Sequence, residues 1–324
     1  MTAPAGSPGG SPEPPGGDSS PSPRAWPDHL QPGRAIEVAP GVVRVIAPNP
    51  GMMTGPGTNT YLLGAERLAL VDPGPVDEQH RDRLLEETSG RLRWILVTHT
   101  HIDHAPLSAA LMEATGAEIV AFGPAPAPHP QARTTAALDA HDADFAPDRI
   151  LHDGECLDTG EMRIAAVHTP GHTSNHLCFE LSGSGLLFSG DHVMSGSTVV
   201  IAPPDGDMAV YLESLEKVRA RRPQRIAPGH GDMIEDPAAV LDDYLRHRRV
   251  REGQILDQLR TAGREAGAVI ADIVEAIYVD VPQELHPVAR FSVWAHLRKL
   301  LAEGRARTEE PEDIGAPWYA VPGR

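Results

Sequence analysis

Two cysteines in 324 residues, Cys156 and Cys178, are too few for a disulfide framework, and neither stands in a metal-holding spacing. Both read as thiols buried in strands. Aromatic side chains make up 4% of the chain, which leaves no track on which nucleobases could stack. No uninterrupted apolar stretch approaches the roughly 20 residues of a membrane span, so no transmembrane helix and no membrane partner are expected. The first residues offer neither an apolar core region nor an Arg-rich amphipathic face, so no secretory or transit peptide is expected and the compartment reads as cytoplasmic. Positive charge is also scarce, with 28 Lys and Arg against 45 Asp and Glu.

That imbalance is uneven along the chain. Positions 35–246 hold 15 basic and 30 acidic residues, whereas positions 247–324 hold 11 and 12. An acidic body is a poor match for polyphosphate, whose binding depends on Lys and Arg neutralising phosphates. A nucleic-acid partner is therefore disfavoured, although bound metals reverse the field locally.

The chain divides by composition into three parts. Residues 1–34 are Pro, Gly and Ser with hardly any aliphatic side chains, a composition that reads as a disordered tail. Residues 35–246 carry short strand-like runs at 42–46, 59–63, 67–71, 92–98 and 117–121, then 157–161, 162–167, 177–181 and 186–189. Helical patterns lie at 76–89, 107–115 and 208–222, the first two stopped by Gly90 and Gly116. Alternate prolines from Pro124 to Pro130 force a loop, and the nearby His129, His141 and His152 read as solvated surface residues. Residues 247–324 show three helical patterns and a hairpin at 304–321, the layout of a winged helix. Its third helix is expected to expose Arg290, His296, Arg298 and Lys299, while the wing carries Glu309, Glu310, Glu312 and Asp313.

The chemistry is concentrated after the apolar run Leu92 to Thr98. There His99-Thr100-His101-Ile102-Asp103-His104 supplies three imidazoles and a carboxylate within one turn of loop. This donor mixture suits zinc, with manganese or iron as alternatives. Further donors follow other apolar runs, each beside a glycine: His172 after 164–167, Asp191 after 186–189 and His230 after 225–228. One histidine beside a glycine marks a tight turn; three such places following the cluster, in this order, mark a metal site.

These residues resemble the five motifs of the metallo-β-lactamase fold superfamily, read here as Asp72, the H-x-H-x-D-H cluster, His172, Asp191 and His230. The stretches 57–62 and 244–248 and the C-terminal tail resemble the β-lactamase-like group with a C-terminal winged helix, which includes a mitochondrial endoribonuclease. The resemblance implies an α/β fold: an αββα sandwich followed by a small winged-helix domain. It implies two Zn²⁺, one held by His99, His101 and His172, the other by Asp103, His104 and His230, with Asp191 between them. It further implies a metal-bridging hydroxide as nucleophile, with Asp103 both ligating and orienting it. Asp72 is expected to fix a ligand's orientation by hydrogen bond. His176 either donates to a developing oxyanion or caps a backbone group. Thr58 and Asn59 are expected on a loop near the substrate, with turn stabilisation as the alternative. His192, beside a ligand, is expected to line the wall.

Three functions compete on this reading. The first is a hydrolase of a small ester, thioester or lactone, favoured by the acidic body and the few aromatics. The second is a single-strand endoribonuclease, favoured by the domain order. The third is a nucleic-acid-binding protein acting through the winged helix, against which the full set of metal donors argues.

Overall fold

The computed structural model describes residues 26–124, 140–279 and 281–322. Most of the proline run from Pro124 to Pro130, His129, and residues 1–25 of the N-terminal tail lie outside the described residues. Strands β1 (Ala35–Ala39), β2 (Val42–Ile46), β3 (Asn59–Leu63), β4 (Leu68–Val71), β5 (Leu92–Leu96), β6 (Glu118–Ala121) and β7 (Arg149–Ile150) form one sheet in that spatial order. Its first four strands are an antiparallel meander, and β4 to β7 run parallel. The switch comes where helices intervene: α1 (Glu78–Thr88) and α2 (Leu107–Thr115) carry the chain back between parallel neighbours. The second sheet has the order β12 (Arg225–Pro228), β11 (Leu186–Gly190), β10 (Leu177–Leu181), β9 (Arg163–His168) and β8 (Cys156–Asp158).

Alternation along the strands decides the layering. In β5 and the residue after it, Trp94 and Leu96 face the space between the sheets, while Ile95 and Val97 face α1 and α2. In β10, Leu177, Phe179 and Leu181 point to the inner layer, and Cys178 points to the outer one beneath α3 (Met208–Arg221). The inner layer closes on contacts such as Tyr61 against Phe188, with ring centroids 5.2 Å apart. Two sheets with helices on both outer faces make the expected αββα sandwich.

Helix starts are set by carboxylates. Asp77, Asp207 and Asp236 accept backbone N–H bonds at the first turns of α1, α3 and α4 (Pro237–Ala266), each cap contributing about 1 kcal/mol. The boundary read from composition at residue 246 falls inside α4. Its first half packs Leu241, Tyr244 and Leu245 on the outer face of the second sheet. Its second half packs Ile255, Leu256 and Leu259 against α5 (Ile270–Ile277), α6 (His286–Ala302) and Trp318. The helix is broken only beyond these contacts, at Gly263 with φ 83°. A two-stranded hairpin, β13 (Ala306–Arg307) with β14 (Tyr319–Ala320), completes the winged helix.

One detail differs from the basic stripe expected on α6. His296 is fully buried, because Glu252 of α4 covers that face and reaches to 3.8 Å from its ring nitrogen. Lys299 is paired with both Glu252 and Glu303, and Arg298 with Glu312. No described helix is long and apolar enough to cross a membrane.

Candidate metal centre

Every donor-bearing segment leaves the same end of the sandwich. The loop after β5 carries His99 to His104, the turn after β9 carries His172, Asp191 follows β11 and His230 follows β12. Two backbone bonds stitch the sheets together there, from Leu177 N–H to Thr98 C=O at 2.7 Å and from Asn59 N–H to Gly229 C=O at 2.8 Å.

The donors converge in three overlapping groups, each with its ligating atoms within 4.8 Å of one another: His99, His101 and His172; Asp103, His104 and His230; and His99, His104 and Asp191. Asp191 Oδ1 stands 3.3 Å from His104 Nε2 and 3.4 Å from His230 Nε2, while its Oδ2 stands 3.8 Å from His172 Nε2. Asp103 Oδ2 is 3.2 Å from His230 Nε2. So close an approach requires a residue with no side chain at 229. A Cβ on Gly229 would lie 2.6 Å from Asp191 Oδ1 and 2.8 Å from His104 Cε1.

The side chains around the donors fix which ring nitrogen faces inward. His104 Nδ1 lies 2.9 Å from Asp72 Oδ2, so its Nε2 turns to the centre. The other oxygen of Asp72 accepts the Thr98 backbone N–H, and Thr98 Oγ1 donates to Oδ2. Asp72 reaches this position in the left-handed region, φ 53°, a conformation that aspartate tolerates better than most residues. His172 Nδ1 donates to Val200 C=O at 2.8 Å, and His230 Nδ1 to Gly57 C=O at 3.3 Å.

The chemistry of this donor set fits a pair of divalent cations. His172 Nε2 is buried without a hydrogen-bond partner and aims at the cluster. Imidazole nitrogens face each other at 3.0 Å between His99 and His101 and at 3.2 Å between His104 and His230. The carboxylates demand positive charge in return. Burial alone would strip the proton from His230, but Asp191 and Asp103 outweigh it and push the ring up to about 9. His104 is likewise raised against its burial by Asp191, Asp103 and Asp72. On the opposite side burial, aided by His101, lowers His172 to about 4, leaving a neutral donor. A cation entering between these groups displaces protons that the carboxylates would otherwise hold in place.

A cavity of about 220 Å³ opens over the cluster, lined by Asp103, His172 and Asp191 and by Met53, Met194, Val199 and Val200 among others. No lysine or arginine lines it among the described residues. At its mouth Ile102 and Met53 are exposed, at 53% and 40%.

The other residues singled out from the sequence sit elsewhere. His176 is fully buried behind the donors, its Nδ1 on Thr169 Oγ1 at 2.9 Å. His192 is fully buried between His176 and Tyr211, because Asp191 turns toward the cavity and its neighbour must turn away. Thr58 is buried and takes the Asn49 amide at 3.0 Å. Asn59 is buried too and donates to Pro228 C=O and Gly231 C=O, both at 2.9 Å, clamping the loop that bears His230. Thr58, Asn59 and His192 are thus packed into the frame of the site. One neighbour escaped the sequence. His141, expected on the surface, lies with its ring tilted against that of His101, centroids 4.7 Å apart, and meets Thr100 Oγ1 at 2.7 Å. Only its distance from Thr100 along the chain hid it.

Comparison with known proteins identifies the family. Residues 53–230 match the metallo-beta-lactamase superfamily and residues 270–316 the beta-lactamase associated winged helix domain. The chain is 35% identical to the beta-lactamase-like protein 2 homolog of Drosophila melanogaster over 84% of this chain and 91% of that one. It is 32% identical to the atrochrysone carboxyl ACP thioesterase of Aspergillus fumigatus over 76% of each. A crystal structure of a beta-lactamase domain protein from Burkholderia ambifaria shares the fold, with a TM-score of 0.72 at 22% identity over 92% of this chain and 96% of that one. The chain belongs to the metallo-beta-lactamase superfamily and is a hydrolase with a C-terminal winged helix.

Proposed function

We propose that the chain is a cytoplasmic dinuclear zinc hydrolase of small acyl compounds, thioesters before esters and lactones. The observation that carries this reading is the cavity wall: Met53, Met194, Val199 and Val200 suit an acyl group, and among the described residues no lysine or arginine lines it to hold a phosphodiester. The similarity to a protein named as an ACP thioesterase supports it. Three cations of the winged helix, Arg298, Lys299 and Arg305, are each paired with glutamate, which lessens their pull on a phosphate backbone.

On this reading His99, His101 and His172 would hold one ion and Asp103, His104 and His230 the other, with Asp191 beside both donor sets. When bound, such a pair supplies an acidified water and positive charge for the oxygen on which negative charge gathers. The chain's own part is orientation. Asp72 keeps His104 Nε2 inward, Val200 does the same for His172, and Asp103, with its carboxylate at the cavity, orients the attacking water. The apolar wall places the acyl chain and excludes bulk water from the reacting carbonyl.

The test is a zinc-loaded panel of an acyl thioester, a lactone and a labelled oligoribonucleotide, run on wild type and Asp103→Ala. Thioester turnover by wild type and its loss in the variant are expected. Cleavage of the oligoribonucleotide with the thioester untouched would overturn the reading.

A further inference from the structure

The segment from Val193 to Val200 forms one side of the cavity, through Met194, Val199 and Val200. It contains no regular secondary structure, so its backbone carbonyls need partners from elsewhere. Two of these partners lie one helical turn apart on α4. The Tyr244 hydroxyl accepts the Met194 N–H at 3.0 Å and lies against the carbonyls of Met194 and Ser197. Four residues on, Arg248, only 2% exposed, donates from Nη2 to the Val199 carbonyl. Its guanidinium sits over the ring of Tyr211, 5.4 Å from the centroid, and Tyr211 in turn donates to His192 C=O at 2.8 Å. The carbonyl next to the one that Arg248 holds is that of Val200, which takes His172 Nδ1.

A buried guanidinium is costly to place and is held here by few polar contacts, its Nε having no hydrogen-bond partner. Apolar packing alone would be better served by leucine or methionine. We propose that Arg248 and Tyr244 are positioning residues: they set the apolar wall at 193–200, and Arg248 also fixes the peptide that precedes the one orienting His172. The assignment rests on the metal-centre reading above and adds to it a dependence of the cavity on the first half of α4.

The test uses the full chain with Arg248→Met, Arg248→Lys and Tyr244→Phe. Two readouts are taken: equilibrium Zn²⁺ titration against a chelator, and KM and kcat for acyl thioesters of increasing chain length. Arg248→Met should weaken one of the two ions about tenfold, the effect typical of losing an orienting group behind a ligand. It should also raise KM more for long acyl chains than for short ones, and Arg248→Lys should restore much of both. Tyr244→Phe should change the chain-length dependence and leave the ion affinities alone. Overturning results are unchanged titration and chain-length profile in Arg248→Met, or equal loss of both ions together with a lowered Tm that Arg248→Lys does not restore. A wild type inactive on every thioester would sink the substrate reading alone, and the titration would still decide the role of Arg248.

Discussion

Asp72 Oδ2 lies 2.9 Å from His104 Nδ1, and both side chains are buried. Asparagine tolerates the same left-handed backbone, so Asp72→Asn alters the acceptor and leaves the turn intact. The variant should bind metal about 10- to 100-fold more weakly, with kcat per bound ion close to wild type at saturation. Competition with a chelator measures the first quantity, and turnover at saturating Zn²⁺ the second. Wild-type affinity would show that Asp72 does nothing for His104.

Asn59 joins β3 to the His230 loop with one amide group on two carbonyls. Asn59→Asp keeps the shape and removes both donors, leaving two buried carbonyls facing a carboxylate. A loss of about 1–3 kcal/mol in stability is expected, read from denaturant unfolding. Metal titration should show the ion of Asp103, His104 and His230 weakened more than the other. Equal weakening of both would place the effect on the fold as a whole.

Gly229→Ala tests how tightly the donors are packed. The added Cβ would press on Asp191 and on His104 at once, under 3.0 Å from each. Neither is the loose end of a flexible side chain. The expected result is loss of bound metal and of turnover, with secondary structure retained in the circular dichroism spectrum. A variant that keeps both ions would mean that the loop yields more readily than its contacts suggest.

His80 is 1% exposed and meets Thr60 Oγ1 at 3.0 Å, and burial lowers its pKa to about 4. The unfolded chain takes up the proton near 6.5, so it binds more protons than the native state between these values, and stability falls as the pH drops through that window. The contribution is on the order of 3 kcal/mol, fully present above pH 6.5 and gone below about 4. His80→Gln should flatten the fall by that amount relative to wild type. Denaturant unfolding at pH 7 and pH 4.5, with chelator in both proteins, isolates the difference.

What the sequence revealed and what it hid divide along local and non-local lines. Most strands from 42 to 189, β7 excepted, and helices such as Leu107–Thr115 are legible because apolar alternation and glycine stops are properties of neighbours in the chain. The seven donors are legible because each follows a strand at the same end of the sheets. Asn59 looks like a turn residue until its partners are found 169 and 172 positions away. His176 and His192 carry the same ring as the donors, and only the packing of β10 and β11 decides that they face inward. Charge along α6 cannot reveal that Glu252 covers His296. Composition changes near residue 246, but one helix serves both sides of that change.

That shared helix bears on how the molecule comes apart. Up to Gly263 it has no interruption at which the C-terminal segment could swing free, and its two halves are greased into different interiors. Heating should therefore melt both interiors together, as a single endotherm in a scanning calorimeter. Two resolved peaks would mean that the rod snaps before either end lets go.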